Sequence, residues 1–205
     1  MGRPRTPLLD KDRIALAALR QIDRKGDFTI PELAHSLKVS PASLYHHVDG
    51  RAEILTLVRQ YLARTVDATA FGHLPWDDAL RAWAQSYRDT FASHAGAVAL
   101  MSVQPVTDPV LHRMYDAAVA ALEDAGFPQQ SVLAVITAVE SFVLGSALDL
   151  VAPEVMVADV DSAAQPRLAA AVAITPSGRP RADQAFHLGL DALLTGIGSL
   201  RTQRK

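Results

Sequence analysis

Residues 33–51, LAHSLKVSPASLYHHVDGR, read as two short helices joined by a tight turn. Ser40-Pro41 pairs a capping serine with a proline at the first position of a new helix. We predict that this helix runs from Pro41 to Val48, with Leu44 and Val48 four residues apart on its inner face. The remaining sides carry Ser43, Tyr45, His46 and His47. So much aromatic and hydrogen-bonding surface on a short helix favours contact with another molecule.

The preceding residues supply two more helices. Ile14, Ala18 and Ile22 form an apolar stripe that ends at Gly26. Thr29-Ile30-Pro31-Glu32 has the pattern of a capping box, so a second helix is predicted from about Ile30 to Leu37. Three helices with a tight turn before the third indicate a helix-turn-helix, whose third helix enters the DNA major groove.

The outward side chains suit DNA. Ser43, His46 and His47 can bond to bases or phosphates, and the Tyr45 hydroxyl suits a phosphate. We expect Arg51 to contact the adjacent backbone. Arg3 and Arg5 lie on an arm that can reach the minor groove.

Composition and charge limit the class of protein. The chain has 205 residues, 49% hydrophobic, and no cysteine, which excludes disulfides and thiolate metal sites. Residues 1–66 carry 11 Lys+Arg and 7 Asp+Glu, a net +4, whereas residues 67–205 carry 9 and 15, a net −6. A basic head on an acidic body favours a polyanion as the partner of the head. The first twelve residues lack the apolar region of a secretory signal, and we expect no membrane-spanning segment and a cytoplasmic protein.

The rest of the chain also reads as helices, so the predicted fold class is all-α. A longer amphipathic helix is expected from Gly50 to about Asp67. Helical segments follow at about 76–94, 96–103, 107–125, 128–151 and 183–200. Residues 152–181 read as a long connection with one weak helix, at about 163–174.

The stretch 33–51 resembles the helix-turn-helix signature of TetR-family transcriptional regulators. The signature L-A-x-x-L-G-V-S-x-x-[ST]-L-Y-x-H-[VF]-x-x-[KR] is matched at Leu33, Ala34, Leu37, Val39, Ser40, Ser43, Leu44, Tyr45, His47, Val48 and Arg51. The departure is Lys38, where the family usually has glycine. The resemblance implies that Tyr45 and His47 contact phosphates. It also implies that bases are read from Ile30, Pro41, Ala42, Ser43 and His46.

The resemblance continues more weakly through residues 94–128 and 138–150, which look like tetracycline repressors. It implies a helix-turn-helix domain over 1–50, a connecting helix over 50–67 and a ligand-binding and dimerisation domain over 68–205. The histidine and threonine that serve the metal–drug chelate in tetracycline repressors fall on Leu100 and Val103. Neither side chain coordinates an ion, so the expected effector is a small organic molecule, with no metal and no cofactor.

A ligand cavity is expected in the body. Its candidate residues combine apolar walls with a few polar groups: Trp83, Tyr87, Met101, Gln104, His112, Met114 and Phe142. The alternative for each of them is ordinary core packing.

A homodimer is expected through helices 128–151 and 183–200, whose apolar faces exceed what packing on one side needs. Gly145-Ser146-Ala147 permits close approach, and Leu190 and Leu194 are the expected interface leucines. Two identical heads would read a near-palindromic DNA operator.

The function implied is a ligand-responsive regulator, most often a repressor in this family. One alternative is a constitutive architectural DNA-binding protein. A helical enzyme is the weaker alternative, because the sequence lacks G-x-S-x-G, H-E-x-x-H and P-loop motifs.

Overall fold

The computed structural model describes residues 9–102 and 105–201, and these residues form helices and connecting turns with no strand. The helices are α1 Lys11–Lys25, α2 Ile30–Leu37, α3 Pro41–Tyr45, α4 Arg51–Ala63, α5 Trp76–Ala92, α6 Ala95–Ser102, α7 Pro109–Asp124, α8 Gln129–Asp149, α9 Pro166–Ile174 and α10 Gly178–Gly198. A 3₁₀ turn at Thr69–Gly72, which the sequence pattern did not predict, lies between α4 and α5. The all-α prediction is confirmed.

Local capping sets the ends of the first three helices. Gly26 ends α1 in the left-handed region, with φ 77°. Thr29 caps α2 by accepting the Glu32 N–H, and its hydroxyl donates to the Glu32 carboxylate. The Ser40 hydroxyl accepts the Ser43 N–H and starts α3. These caps confirm the predicted starts of α2 and α3.

The turn between α2 and α3 contains a non-glycine residue in left-handed geometry. Lys38 has φ 58° and ψ 41° and ends α2, with its N–H on the Ala34 and His35 carbonyls. A lysine there costs roughly 1–2 kcal/mol relative to glycine. The chain therefore keeps the turn that the family signature assigns to glycine and accepts the strain.

The predicted boundaries of four helices, α3, α4, α9 and α10, were wrong. α4 ends at Ala63 rather than near Asp67, and α9 begins at Pro166 rather than near residue 163. α3 ends at Tyr45 rather than at Val48, because His46 and His47 already belong to a turn that leads to Gly50. α10 begins at Gly178 rather than near residue 183. Pro180 lies in its first turn, where a missing N–H breaks no intrahelical hydrogen bond.

Two hydrophobic clusters organise the molecule. The head cluster joins α1–α4 through Ile14, Leu33, Leu44 and Ile54, and also includes Ala97, Val98 and Met101 of α6. The body cluster joins α5, α7, α8 and α10. α6 packs against α1, where a Cβ on Gly96 would be 2.9 Å from the Ile22 carbonyl oxygen. The head therefore packs directly against the body.

The expectation that no segment is apolar enough to cross a membrane was wrong for α8. Gln129–Asp149 meets that test by length and composition, with a mean hydropathy of 1.9 in its most apolar window. One face of α8 is buried in the body cluster through Val132, Val139 and Val143. The opposite face carries Leu133 and Leu148, and both are exposed in the single chain. Apolar residues on both faces account for the composition.

Candidate DNA-binding surface and ligand cavity

The side chains of α3 divide as the sequence predicts. Leu44 is fully buried in the head cluster, and Val48, just after the helix, is buried beside it. Tyr45 keeps 54% of its surface exposed. Pro41 and Ala42 are exposed at the start of the helix, whereas Ser43 and Ile30 are half-buried. The outward surface is therefore aromatic at one end and small and apolar at the other.

His46 and His47 are exposed but lie beyond the helix. His46 occupies the C-cap of α3, and the His47 N–H donates to the Leu44 carbonyl over 2.9 Å. Both imidazoles directly follow Tyr45 in the chain and are exposed, so each can donate to a phosphate or base acceptor.

Arg51 has partners within the chain. Its guanidinium donates to the Phe28 carbonyl and to the Asp27 carboxylate, each over 2.6 Å, and lies 4.5 Å from the Phe28 ring centre. The hydrogen bond from Arg51 holds the pKa of Asp27 below its usual value. Arg51 thus ties the start of α4 to the loop between α1 and α2, and its expected DNA contact stays a prediction. Arg3 and Arg5 lie outside the described residues.

The body contains a cavity of about 280 Å³ between α4, α5, α6, α7 and α8. This volume is close to the lower end of the range for small-molecule sites, about 300–1,000 Å³. The apolar lining includes Val66, Phe91, Val98, Met101, Leu111 and Leu144. The polar lining consists of Arg59, Tyr87, Tyr115, Thr137, Glu140 and Ser141.

The structure brings together three of the seven expected cavity residues, since Tyr87, Met101 and Met114 line the cavity. Trp83 does not line the cavity. It is fully buried, and its ring centre lies 5.3 Å from that of Tyr87. Phe142 packs on Phe186 between α8 and α10, with ring centres 5.8 Å apart.

His112 is exposed on α7, and its Nε2 lies 3.2 Å from the Val106 carbonyl oxygen. His112 is also away from the cavity lining, as Trp83 and Phe142 are. Gln104 lies outside the described residues.

The strongest polar feature of the cavity, a carboxylate–phenol pair, was missed from the sequence. The Tyr115 hydroxyl on α7 donates to Glu140 Oε1 on α8 over 2.6 Å. Burial raises the pKa of Glu140, although the Tyr115 hydrogen bond and the nearby Arg59 oppose that rise. Burial also raises the pKa of Tyr115, so its hydroxyl stays a donor. The available signal was that Glu140 is the only charged residue between positions 129 and 148.

Arg59 connects the head to the cavity and was also missed. It lies on α4, and its guanidinium donates to the carbonyl of Met101, in the last turn of α6, and to that of Pro105, beyond the end of α6. α4 therefore contributes Ile54 and Val58 to the head cluster and Arg59 to the cavity lining.

The described residues contain no group of three His, Cys, Asp or Glu side chains placed to hold a metal ion. Leu100, on a position that serves the chelate in tetracycline repressors, packs half-buried against the head cluster. Val103, the other such position, lies outside the described residues.

A helix-turn-helix head with an exposed third helix, on a helical body with a cavity, defines the class of ligand-binding transcriptional regulators. Residues 72–201 match the family described as tetracyclin repressor-like, C-terminal domain. The chain belongs to this tetracycline repressor-like family.

The relatives agree with this assignment. An HTH-type transcriptional regulator of Saccharopolyspora erythraea is 32% identical over 142 residues, 68% of this chain and 60% of that protein. The tetracycline repressor protein class E of Escherichia coli is 28% identical over 203 residues, 96% of this chain and 94% of that one. Apo ActR from Streptomyces coelicolor superposes with a TM-score of 0.78 at 22% identity, over 95% of this chain and 97% of its own.

Proposed function

We propose that the protein is a cytoplasmic transcriptional repressor that binds an operator as a dimer and leaves it when a small organic molecule fills the cavity. The observation that carries this function is that one helix, α4, belongs to both the head and the cavity wall. A ligand that displaces Arg59 changes the contacts of the helix on which the head is built.

Release of the DNA by a ligand requires only a small difference in binding free energy. A ligand weakens DNA binding only by preferring the conformation that does not fit DNA, and a tenfold loss needs about 1.4 kcal/mol of preference. The hydrogen bonds from Arg59 to the Met101 and Pro105 carbonyls are contacts on which such a preference can act.

Two solved structures with a similar fold support operator DNA and a small organic molecule as the binding partners. BioQ has been solved with its double-stranded DNA operator, with a TM-score of 0.67 and 23% identity to this chain. ActR has been solved with actinorhodin, with a TM-score of 0.76 and 21% identity. The same fold is thus found with operator DNA in BioQ and with actinorhodin in ActR.

The proposed dimer forms through the exposed faces of α8 and α10. Leu133 on α8 and Leu188 on α10 are 65% and 72% exposed in the single chain. A Cβ on Gly145 or Gly196 would meet no atom within 4 Å, so these glycines leave room for a second chain. Leu190 and Leu194, the leucines expected in the interface, are instead buried in their own chain against α5 and α8.

The effector is proposed to bind without a metal, because Leu100 cannot coordinate an ion. Magnesium–tetracycline is therefore expected to leave the protein–operator complex intact, as measured by fluorescence anisotropy of labelled operator DNA. Release of the DNA at micromolar magnesium–tetracycline would contradict the metal-free site.

The decisive experiment is selection of binding sites from random DNA with the purified protein. We expect recovery of a near-palindrome with two half-sites, whose affinity then falls on addition of a cavity-binding compound. An affinity that no compound changes would favour the constitutive DNA-binding protein, and catalytic turnover of a compound would favour an enzyme. Recovery of no preferred sequence would contradict the proposal.

A further inference from the structure

The cavity wall contains one carboxylate with unused hydrogen-bonding capacity. A carboxylate offers about four acceptor positions. Among the residues that the structure describes, the only hydrogen bond to the Glu140 carboxylate comes from Tyr115. Burying a charged group with so few partners is unfavourable, and the charge is best compensated by a donor of opposite charge.

The other charged residue of the lining is engaged differently. The Arg59 guanidinium already donates to two backbone carbonyls, those of Met101 and Pro105. Arg59 acts on Glu140 through its nearby charge, and the hydrogen bond on the Glu140 carboxylate comes from Tyr115, so an incoming cation still finds open acceptors there. An incoming anion would meet a guanidinium already held by two carbonyls and would be repelled by the Glu140 carboxylate. The cavity therefore complements a hydrogen-bond donor better than an acceptor.

The surroundings of Glu140 match the rest of such a ligand. Aromatic rings of Tyr87, Phe91 and Tyr115 line the same cavity, and aromatic faces attract organic cations. Thr137 and Ser141, one turn before and one residue after Glu140 on α8, offer hydroxyl acceptors beside it. Apolar side chains of α5, α6 and α7 complete the walls.

We propose that the effector is a compact apolar or aromatic amine whose protonated nitrogen binds the Glu140 carboxylate. This inference rests on the proposed function, because it names the chemistry of the ligand for the same cavity. Tyr115 acts as a positioning residue that holds the carboxylate toward the cavity.

The test uses three probes that share a naphthalene body: 2-naphthylmethylamine, 2-naphthalenemethanol and 2-naphthoate. At neutral pH the amine is a cation, the alcohol is a neutral hydrogen-bond donor and the naphthoate is an anion. Isothermal titration into the full chain is expected to show the amine binding at least about tenfold more tightly than the other two. Equal or tighter binding of the naphthoate, or binding of none of the probes, would overturn the inference.

Three variants test whether Glu140 is the residue that makes the cavity prefer the amine. Glu140→Gln is expected to bring the amine to the affinity of the alcohol, while the alcohol changes by less than about threefold. Tyr115→Phe is expected to keep the amine preference, because it removes a donor and leaves the carboxylate. Glu123→Gln, at an exposed carboxylate on α7, is the matched control and should change nothing. An amine preference that survives in Glu140→Gln would overturn the inference.

The probe comparison in the unmutated chain does not depend on how well any variant folds. The same preparations are assayed for binding to the selected operator, which separates two kinds of failure. Absence of amine preference in a protein that still binds DNA and releases it with another compound removes only this inference. Absence of sequence-preferring DNA binding removes the proposed function, whatever the amine result.

Discussion

Neighbouring side chains of α3 face opposite environments, and this predicts opposite effects of mutation. Tyr45→Ala and His47→Ala are expected to weaken operator binding by roughly 1.5–3 kcal/mol each, the range for a hydrogen bond to a charged group. Both side chains are exposed, so the melting temperature should be nearly unchanged. Anisotropy titration of labelled DNA and thermal denaturation measure the two effects.

Leu44→Ala is the matched contrast, because Leu44 is fully buried in the head cluster. We expect it to destabilise the fold by about 2–5 kcal/mol. Unchanged DNA affinity in the Tyr45 and His47 variants would show that α3 does not carry the contact.

A second prediction concerns the pH dependence of stability at Glu140. Its pKa is raised in the folded state, so the folded chain binds more protons than the unfolded chain between the ordinary glutamate pKa and the raised value. Stability therefore falls as pH rises through that window. The groups facing Glu140 are Tyr115, Tyr87 and Arg59.

Glu140→Gln removes the ionisation while keeping an acceptor for the Tyr115 hydroxyl. We expect the variant to be more stable than the unmutated chain at pH 7, with the difference disappearing below about pH 4. Urea unfolding at a series of pH values checks this. The same pH profile for both proteins would contradict the burial of the charge.

The sequence predicted residues whose roles are local. Thr29 and Ser40 were identified as caps because a cap and its partner are three residues apart. The partners of Arg51 lie more than 20 residues away, at Asp27 and Phe28, and no local pattern indicates them. Glu140 was missed for the same reason, since its environment is created by α7 and α4.

At the scale of helices, Gly96 lies at a close contact between α6 and α1. A Cβ there would lie 2.9 Å from the Ile22 carbonyl oxygen and 3.3 Å from Ile22 Cγ2. Gly96→Ala is expected to push α6 away from α1 and to cost about 1–3 kcal/mol of stability. Chemical denaturation measures the cost, and operator titration reports whether the head moves.

Gly72→Ala is the control for this substitution, because a Cβ on Gly72 meets no atom within 4 Å. We expect it to change stability by less than about 0.5 kcal/mol. If Gly96→Ala behaves like Gly72→Ala, then α6 is not held against α1 as the structure indicates.

The sequence predicted which segments are helical, but it did not predict all of the helix ends or which face of each helix is buried. The 3.6-residue period indicated every α-helix, including the weak α9. α10 shows the limit, because it carries leucines on both its buried and its exposed side. The sequence predicted Leu190 in the dimer interface, but the placement of α10 against α5 and α8 buries Leu190 in its own chain and leaves Leu188 exposed.

For the whole molecule, the unpartnered face of α8 and α10 leads to a prediction about assembly. Leu188→Glu places a charge on the 72% exposed side chain of α10, where it would be buried against a second chain. We expect folded monomers in sedimentation and a large loss of operator affinity. Leu74→Glu, at a 48% exposed leucine outside α8 and α10, is the control and should remain a dimer.

A monomeric unmutated protein, or a dimer that tolerates Leu188→Glu, would contradict this arrangement. Such a result would require two heads to be paired by another surface, or a single head to suffice for DNA binding.

The sharing of α4 between head and cavity has a thermodynamic consequence that runs from DNA to ligand. If occupancy of the cavity lowers affinity for the operator by some factor, then the operator must lower affinity for the cavity ligand by the same factor. Protein held on DNA is then a weaker receptor than free protein. The ligand concentration that gives half-release consequently rises with the number of operator copies present, so the response threshold is a joint property of protein and genome.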